Sequence, residues 1–217
     1  MFTRLQAEWR LKLLLFITIN AVFWVGYQWL SRHAHFPLRA IPVTWLDRAV
    51  PFQPELWSWV YLSQFLFTGA LPLLLVTPAE IRRYLVSLAV MSITSFAIFL
   101  FLPTAGPRPN AVGDDAAMRW IASADGPLNA LPSLHAAFLV CMGRLAWRMF
   151  GWKAVPVVVP WGAAILYSTL ATKQHYALDL LTGGALGWLA DSLAWRGVSA
   201  AAAIPVSNGS ASQHGER

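Results

Sequence analysis

Two short stretches of this chain bring ionisable side chains into apolar surroundings. LPSLHAAF contains Ser133 and His135 just before an apolar run, and KQHYALDLL contains Lys173, His175 and Asp179. His175 and Asp179 are four residues apart, so on a helix they share one face. There the carboxylate can accept the Nδ1 proton of the imidazole, which leaves Nε2 free to attack an electrophile. Taken alone, the pair could equally be a buried polar contact between two helices.

The surroundings of His135 favour an anion. Pro132 and Ser133 precede it at a predicted helix start, where free N–H groups and the positive end of the helix dipole attract negative charge. Arg108, in PTAGPRPN, and Lys173 add two cations, and an arginine fork matches phosphate oxygens. Together these residues indicate phosphoryl transfer, because they supply cations, a nucleophile, an orienting carboxylate and an acid for the leaving group.

The composition predicts that membrane helices position these residues. The chain has 217 residues, of which 57% are hydrophobic and 12% are charged, whereas soluble domains have about 45–50% and about 25%. A spanning helix needs roughly 20 mostly apolar residues. The sequence therefore predicts an all-α fold, a bundle of six transmembrane helices within residues 1–196, followed by a disordered cytoplasmic tail at 197–217. The predicted spans are Leu11–Leu30, Trp57–Val76, Tyr84–Leu102, Ser133–Phe150, Ala154–Ala171 and His175–Trp195.

The distribution of Lys and Arg predicts the orientation of this bundle. With the N-terminus inside, ten of the sixteen basic residues fall on the cytoplasmic side and six on the outer side. Such a bias favours cytoplasmic N- and C-termini in an inner membrane. The candidate residues then lie at the extracytoplasmic face. The net charge of +6 flanks apolar runs, so it indicates membrane orientation rather than a nucleic-acid partner.

Two long outer loops and two small-residue features complete the prediction. Ser31–Glu55 contains a segment that could lie in the interface as a short amphipathic helix. Pro103–Pro132, rich in Gly, Pro, Asn and Asp, indicates a structured loop or lid. Gly183 and Gly187 form a G-x-x-x-G pair that indicates close helix packing. The single cysteine, Cys141, is expected to be a buried small hydrophobic residue.

The motifs resemble those of the type 2 phosphatidic acid phosphatase family, which includes sphingomyelin and inositol phosphorylceramide synthases. Arg108-Pro109 matches the end of the first motif, and PSLH matches the second, Pro-Ser-x-His. The third, Ser-Arg-x5-His-x3-Asp, is matched at Ser168, His175 and Asp179. The resemblance covers about 103–184 and fits six membrane spans.

Three positions depart from the family pattern. Phe101 stands where the first motif carries a Lys, and Thr169 stands where the third carries an Arg, so two phosphate-binding cations are replaced. Lys173 is expected to replace one of them. Leu134 stands where the phosphatases usually have Gly, which resembles the synthase branch.

The resemblance implies a set of roles and partners. His175 would attack phosphorus and form a phosphohistidine, Asp179 would orient it, and His135 would give a proton to the leaving alkoxide. Arg108, Ser133 and Lys173 would hold the phosphoryl oxygens, together with N–H groups at the helix start. No metal or other cofactor is implied. The expected partners are a lipid phosphate, membrane lipids and, for a transferase, an alcohol or polyol acceptor.

Several functions remain compatible with the sequence. Hydrolysis of a lipid phosphate monoester is the expected reaction, with phosphotransfer to an alcohol as the alternative; the two share the first step, so the catalytic residues do not distinguish them. Two His and an Asp could instead form a facial metal triad, although the nearby cations would repel a metal. A lipid transporter or binding protein could use the same polar cluster as a translocation site.

Overall fold

The computed structural model describes residues 9–109 and 112–202, and this part of the chain is mostly helical. A short 3-10 turn, Gly151–Ala154, joins two of the long helices. In chain order the α-helices are α1 Trp9–Leu30, α2 Trp45–Ala49, α3 Pro54–Leu73, α4 Pro78–Phe101, α5 Ala116–Ala124, α6 Leu134–Phe150, α7 Val155–Ala171 and α8 Ala177–Ala202. The all-α prediction is confirmed.

Each of the six predicted spans coincides with one long helix of the structure. Two segments are long and apolar enough to cross a membrane by themselves, namely α4 and the stretch Leu134–Ala171, which the structure divides into α6 and α7. The count of six spans therefore stays a prediction, while the helices themselves are present. Helix α8 continues to Ala202, so it takes in the first residues of the predicted tail; positions 203–217 lie outside the described residues.

Two helices begin earlier than hydropathy predicts because their first turns consist of a proline and a charged residue among others, rather than of an unbroken apolar run. Helix α4 begins at Pro78 rather than Tyr84. The Thr77 side chain accepts from the backbone N–H of Glu80, and the Glu80 carboxylate accepts from the backbone N–H of Thr77. Helix α3 begins at Pro54, whose fixed φ suits a first helical position. Hydropathy detects only the apolar part of each helix, so it does not predict these polar first turns.

Helices α6 and α8 pack with their backbones in close approach. A Cβ added at Gly183 would lie 2.0 Å from the carbonyl oxygen of Ser133, and one added at Gly187 would lie 2.2 Å from that of Ala137. Both obstacles are backbone atoms, so only glycine fits at either position. The predicted close packing at the G-x-x-x-G pair is confirmed.

Ion pairs join the same two helices at the other end of their contact. Asp191 of α8 accepts hydrogen bonds from Arg144 and Arg148 of α6, and the pair with Arg148 is bidentate. Trp195 lies between two guanidinium groups, with Arg83 at 3.9 Å and Arg148 at 4.2 Å from its ring centroid. The contact thus combines close backbone approach with a partly buried ionic cluster.

The two long loops contain short structured elements. The first holds α2, and the second holds α5, which follows the cap residue Asp115. Two-residue strands β1, Arg39–Ala40, and β2, Thr104–Ala105, pair in parallel and join the loops to each other. The predicted structured character of the second loop is confirmed for its described part. Cys141 is buried, as expected.

Candidate active site

Three of the predicted residues form a hydrogen-bonded chain. His175 Nδ1 lies 3.0 Å from Asp179 Oδ2, and His175 Nε2 lies 2.9 Å from His135 Nδ1. His175 is 3% exposed and Asp179 is fully buried, while His135 is partly accessible. His135 lies on α6 and His175 on the turn before α8, so the chain exists only where α8 docks on α6.

The order of donors along this chain follows from the carboxylate. An ionised Asp179 can only accept, so His175 Nδ1 carries the proton that points to it. Nε2 of a neutral His175 must then accept, and the donor is His135 Nδ1. In this state the lone pair of His175 Nε2 accepts the Nδ1 proton of His135.

Local backbone contacts hold the two halves of the site in place. Ser133 caps α6, its hydroxyl accepting from the N–H of Ala136 at 3.3 Å, as the sequence predicts for a helix start. The N–H of Ser133 donates to the backbone carbonyl of Asp179 at 3.0 Å. The other carboxylate oxygen of Asp179 accepts the N–H of Tyr176 at 2.7 Å. Helix α8 begins at Ala177, so His175 lies just before it, on the turn that enters the helix.

Arg108 lies at the same end of the bundle, held by groups that flank the histidines. Its guanidinium donates to the carbonyl oxygen of Gly126 at 3.0 Å and to the side-chain carbonyl of Gln174. Gln174 directly precedes His175 and is 3% exposed. The arginine is thus tied to the turn that carries His175, and Gln174 is a contact that the sequence analysis did not single out.

Lys173 makes its contacts with the loop between α1 and α3. Its Nζ donates to the carbonyl oxygen of Asp47 at 2.8 Å and to that of Val50, at the end of α2. Burial lowers the pKa of the Lys173 amine. The residue adopts a positive φ of 54°, which costs a non-glycine residue energy and reverses the chain between α7 and His175. Its role as a phosphate ligand stays a prediction, and the observed contacts add an anchoring role.

Asp125 is the functional candidate that the sequence analysis missed. Its carboxylate accepts from the hydroxyl of Tyr27 at 2.5 Å and from that of Tyr61 at 3.1 Å. Although burial opposes ionisation, the charges of Arg108 and of the two histidines hold the pKa of Asp125 below its usual value. A negative charge here stabilises positive charge on the neighbouring imidazoles. The sequence contains little to indicate a role for Asp125, because it is a single acidic residue in a loop, ten residues before His135.

Asp125 also changes which residues a metal could use. The ligand atoms of Asp125, His135 and His175 lie within 4.8 Å of one another, so this trio, rather than one containing Asp179, could bind a cation. Arg108 lies close enough to affect the charge of the Asp125 carboxylate. That fixed positive charge favours an anion over a metal ion at the same place.

The two positions that lack the family's cations differ in their surroundings. Thr169 is fully buried, and its carbonyl accepts the N–H groups of Gln174 and His175 at 3.1 Å each. Phe101 is 56% exposed and packs on Phe36. The backbone carbonyl of Thr169 therefore stabilises the turn that carries His175.

The sequence of this chain matches one known protein family. The family model described as the PAP2 superfamily matches residues 28–193, which include every predicted site residue. No curated protein and no solved structure matches the chain in the corresponding comparisons. Members of the matched superfamily act on phosphate esters as phosphatases or phosphotransferases. The match covers well over half of the sequence, and the chain therefore belongs to the PAP2 superfamily.

Proposed function

We propose that this protein is an integral membrane phosphatase that hydrolyses a lipid phosphate monoester through a phosphohistidine intermediate. The observation that carries the proposal is the chain from Asp179 through His175 to His135, with contacts of 3.0 and 2.9 Å. It supplies a nucleophile, the group that orients it and an acid in hydrogen-bond reach.

In the first step the lone pair of His175 Nε2 forms a bond to phosphorus while the ester P–O bond breaks. His135 enters this step as an imidazolium. Its Nδ1 proton passes to the leaving alkoxide, which leaves His135 neutral, and Asp179 stabilises the positive charge that develops on the His175 ring. Since the two nitrogens lie 2.9 Å apart, the phosphoryl group has to part the rings as it enters. In the second step His135 takes a proton from water, the water oxygen attacks phosphorus, and the P–N bond breaks.

Arg108, Ser133 and Lys173 are the proposed ligands of the phosphoryl oxygens. Arg108 is already aligned beside His175 through Gln174. Ser133 adds a hydroxyl, and the first N–H groups of α6 add donors at the positive end of the helix dipole. Lys173 would have to exchange carbonyl contacts for phosphate contacts. No metal is needed for this chemistry, because the cations are side chains.

We further propose that the site faces the extracytoplasmic side of an inner membrane, with both termini cytoplasmic. The two apolar segments and the superfamily membership support a membrane location. The excess of basic residues at the opposite helix ends supports the orientation. A phosphate there would come from a lipid in the outer leaflet.

Phosphotransfer to an alcohol or polyol is the second candidate. The PSLH form and the replaced cations at Phe101 and Thr169 resemble the synthase branch and favour it. The two reactions share the phosphohistidine and part only at the acceptor.

Product partition tests the proposal. Purified protein is given a ³²P-labelled lipid phosphate, with and without excess glycerol, inositol or diacylglycerol. We expect most label as free phosphate, unchanged by a strong chelator and suppressed by vanadate, which mimics the pentacoordinate phosphoryl group. Label mainly in a new phosphodiester would favour the transferase, and loss of turnover with the chelator would contradict the mechanism.

A further inference from the structure

A cavity of about 450 Å³ opens beside the acid, His135. It lies between α1, α3, α4, α5 and α6, and its lining includes His135 at one end and Met142 two turns further along α6. At 1.5 Å per residue this is a depth of about 10 Å. Most of the lining is apolar, with Gln64, Thr68 and Asp125 among the few polar side chains. A deep apolar cavity with a few polar groups at one end suits an amphiphile.

The rim of this cavity is aromatic and half-exposed. Trp24 of α1, Phe65 of α3 and Trp120 of α5 line it and are 40–50% accessible. Phe65 and Trp120 meet edge to face, with their ring centroids 6.0 Å apart. In a membrane these side chains face lipid, so a hydrocarbon chain can enter sideways between the helices.

Gln64 lines this cavity and carries a buried acceptor. The residue is 5% exposed, and its Nε2 donates to the backbone carbonyl of His135 at 3.2 Å. That bond fixes the orientation of the amide, because a carbonyl oxygen can accept only from the NH2 group. The other atom, Oε1, is buried and has no donor within the described part of the chain. A buried carbonyl without a donor is costly, and its place on a residue that lines a binding cavity points to a donor on the ligand.

The cavity lies on the side of the leaving group. Its lining includes His135 but neither His175 nor Asp179. In the proposed function, on which this inference rests, His135 gives its proton to the leaving alkoxide. The alcohol part of the substrate therefore lies against the cavity, with its first carbons near Gln64.

We propose that the cavity holds the hydrocarbon chain of the leaving alcohol, and that Gln64 Oε1 accepts a hydrogen bond from it. The preferred substrate is then a lipid phosphate with a hydroxyl or amide N–H near the phosphate-bearing carbon. A site built to bond such a donor discriminates strongly against an analogue without it, because the buried acceptor is left unpaired.

A matched pair of substrates tests the role of Gln64. One is a single-chain phosphate monoester with a hydroxyl on the carbon beside the ester carbon; the other is the same molecule without that hydroxyl. We expect the wild type to prefer the first by about 10-fold or more in kcat/KM. In Gln64→Met, which keeps the length of the side chain, the ratio should fall to near one. General damage lowers both rates and leaves the ratio unchanged.

Filling the end of the cavity that is far from His135 tests whether it holds the hydrocarbon chain. Leu88 lines the cavity and is 7% exposed, so Leu88→Trp should lower kcat/KM for a long-chain ester about 10-fold while sparing para-nitrophenyl phosphate. Leu193→Trp, at a position that is 57% exposed on α8 and outside the cavity, is the matched control and should change neither.

The outcomes separate the two proposals. If the wild type releases phosphate from no lipid ester, the proposed function falls and this inference with it. A second result would refute only the donor preference. In that case the wild type releases phosphate but has the same kcat/KM for both members of the pair, or Gln64→Met keeps the wild-type ratio, and water satisfies Oε1. An unchanged ratio of long-chain to short-chain rates in Leu88→Trp would refute the chain site.

Discussion

The substitution Gly183→Ala tests whether close approach of α6 and α8 sets the catalytic geometry. The new Cβ would lie 2.0 Å from the carbonyl oxygen of Ser133 and 2.9 Å from its carbon. Ordinary contact begins at 3.4 Å, so the helices must part by about 1.4 Å, since backbone cannot rotate away. Ser133 caps the helix that carries His135, and Gly183 is one turn beyond Asp179, so this displacement acts directly on the 2.9 Å contact between the imidazoles.

Two magnitudes follow from that displacement. Overpacking costs about 1–3 kcal/mol, which exceeds the gain of at most about 1 kcal/mol from replacing a helical glycine by alanine. Misplacing a catalytic group by about 1 Å costs on the order of 100-fold in rate. We therefore expect a lower Tm in detergent and a fall in kcat/KM of about that size.

The neighbouring glycine provides the control. A Cβ at Gly184 would meet only a methyl group of Val140, at 3.6 Å, so Gly184→Ala should be neutral or slightly stabilising. Thermal unfolding and phosphate release are measured for both variants in the same detergent. If Gly183→Ala melts and turns over like Gly184→Ala, the backbone contact does not set the site and the reasoning is wrong.

Four further predictions concern the site and its orientation. His175→Ala should abolish phosphate release, and Asp179→Asn should lower kcat by about 10⁴-fold in a folded protein, as expected for a misoriented imidazole; near-native rates in both would exclude the mechanism. Asp125→Asn should lower kcat by about 10- to 100-fold, because it removes the charge that stabilises the imidazoles, and an unchanged kcat would make the carboxylate structural. Lys173→Met should lower both Tm and kcat/KM, the latter by about 10–1000-fold if Nζ reaches the transition state; a loss confined to Tm would leave only its anchoring role. A cysteine at Asp114, which is exposed in the loop between α4 and α6, should react with impermeant reagent from the outside only, and the buried native cysteine should add no background; labelling from the cytoplasm only would reverse the proposed orientation.

The sequence predicted the features that depend on local pattern. Apolar runs located the six long helices, and the spacing of His175 and Asp179 predicted their hydrogen bond. The close packing at Gly183 followed from small residues four apart. Each of these features can be read within a few helical turns of one segment.

Contacts between distant segments could not be predicted in this way. Asp125 reaches the histidines because Tyr27 and Tyr61, from two other helices, hold its carboxylate. Gln64 is separated by 71 residues from the carbonyl that fixes its amide. Lys173 was assigned to phosphate by its position next to the motif, whereas its Nζ contacts a loop more than 120 residues earlier. The positive φ of Lys173 sets the direction of its side chain, and the spacing of residues along the sequence does not predict this.

The ionic cluster at Asp191 has a consequence for how α8 is aligned along α6. Asp191 is eight residues from Gly183, about 12 Å along the helix. A slip of one turn, about 5.4 Å, would separate Asp191 from Arg144 and Arg148. It would also bring a residue with a side chain against one of the two carbonyls, Ser133 or Ala137, that the glycines now face. The register of the two helices is thus specified twice, electrostatically at one end and sterically at the other. The distance between the imidazoles of His135 and His175 is a property of that register, so residues three turns from the candidate site help to determine it.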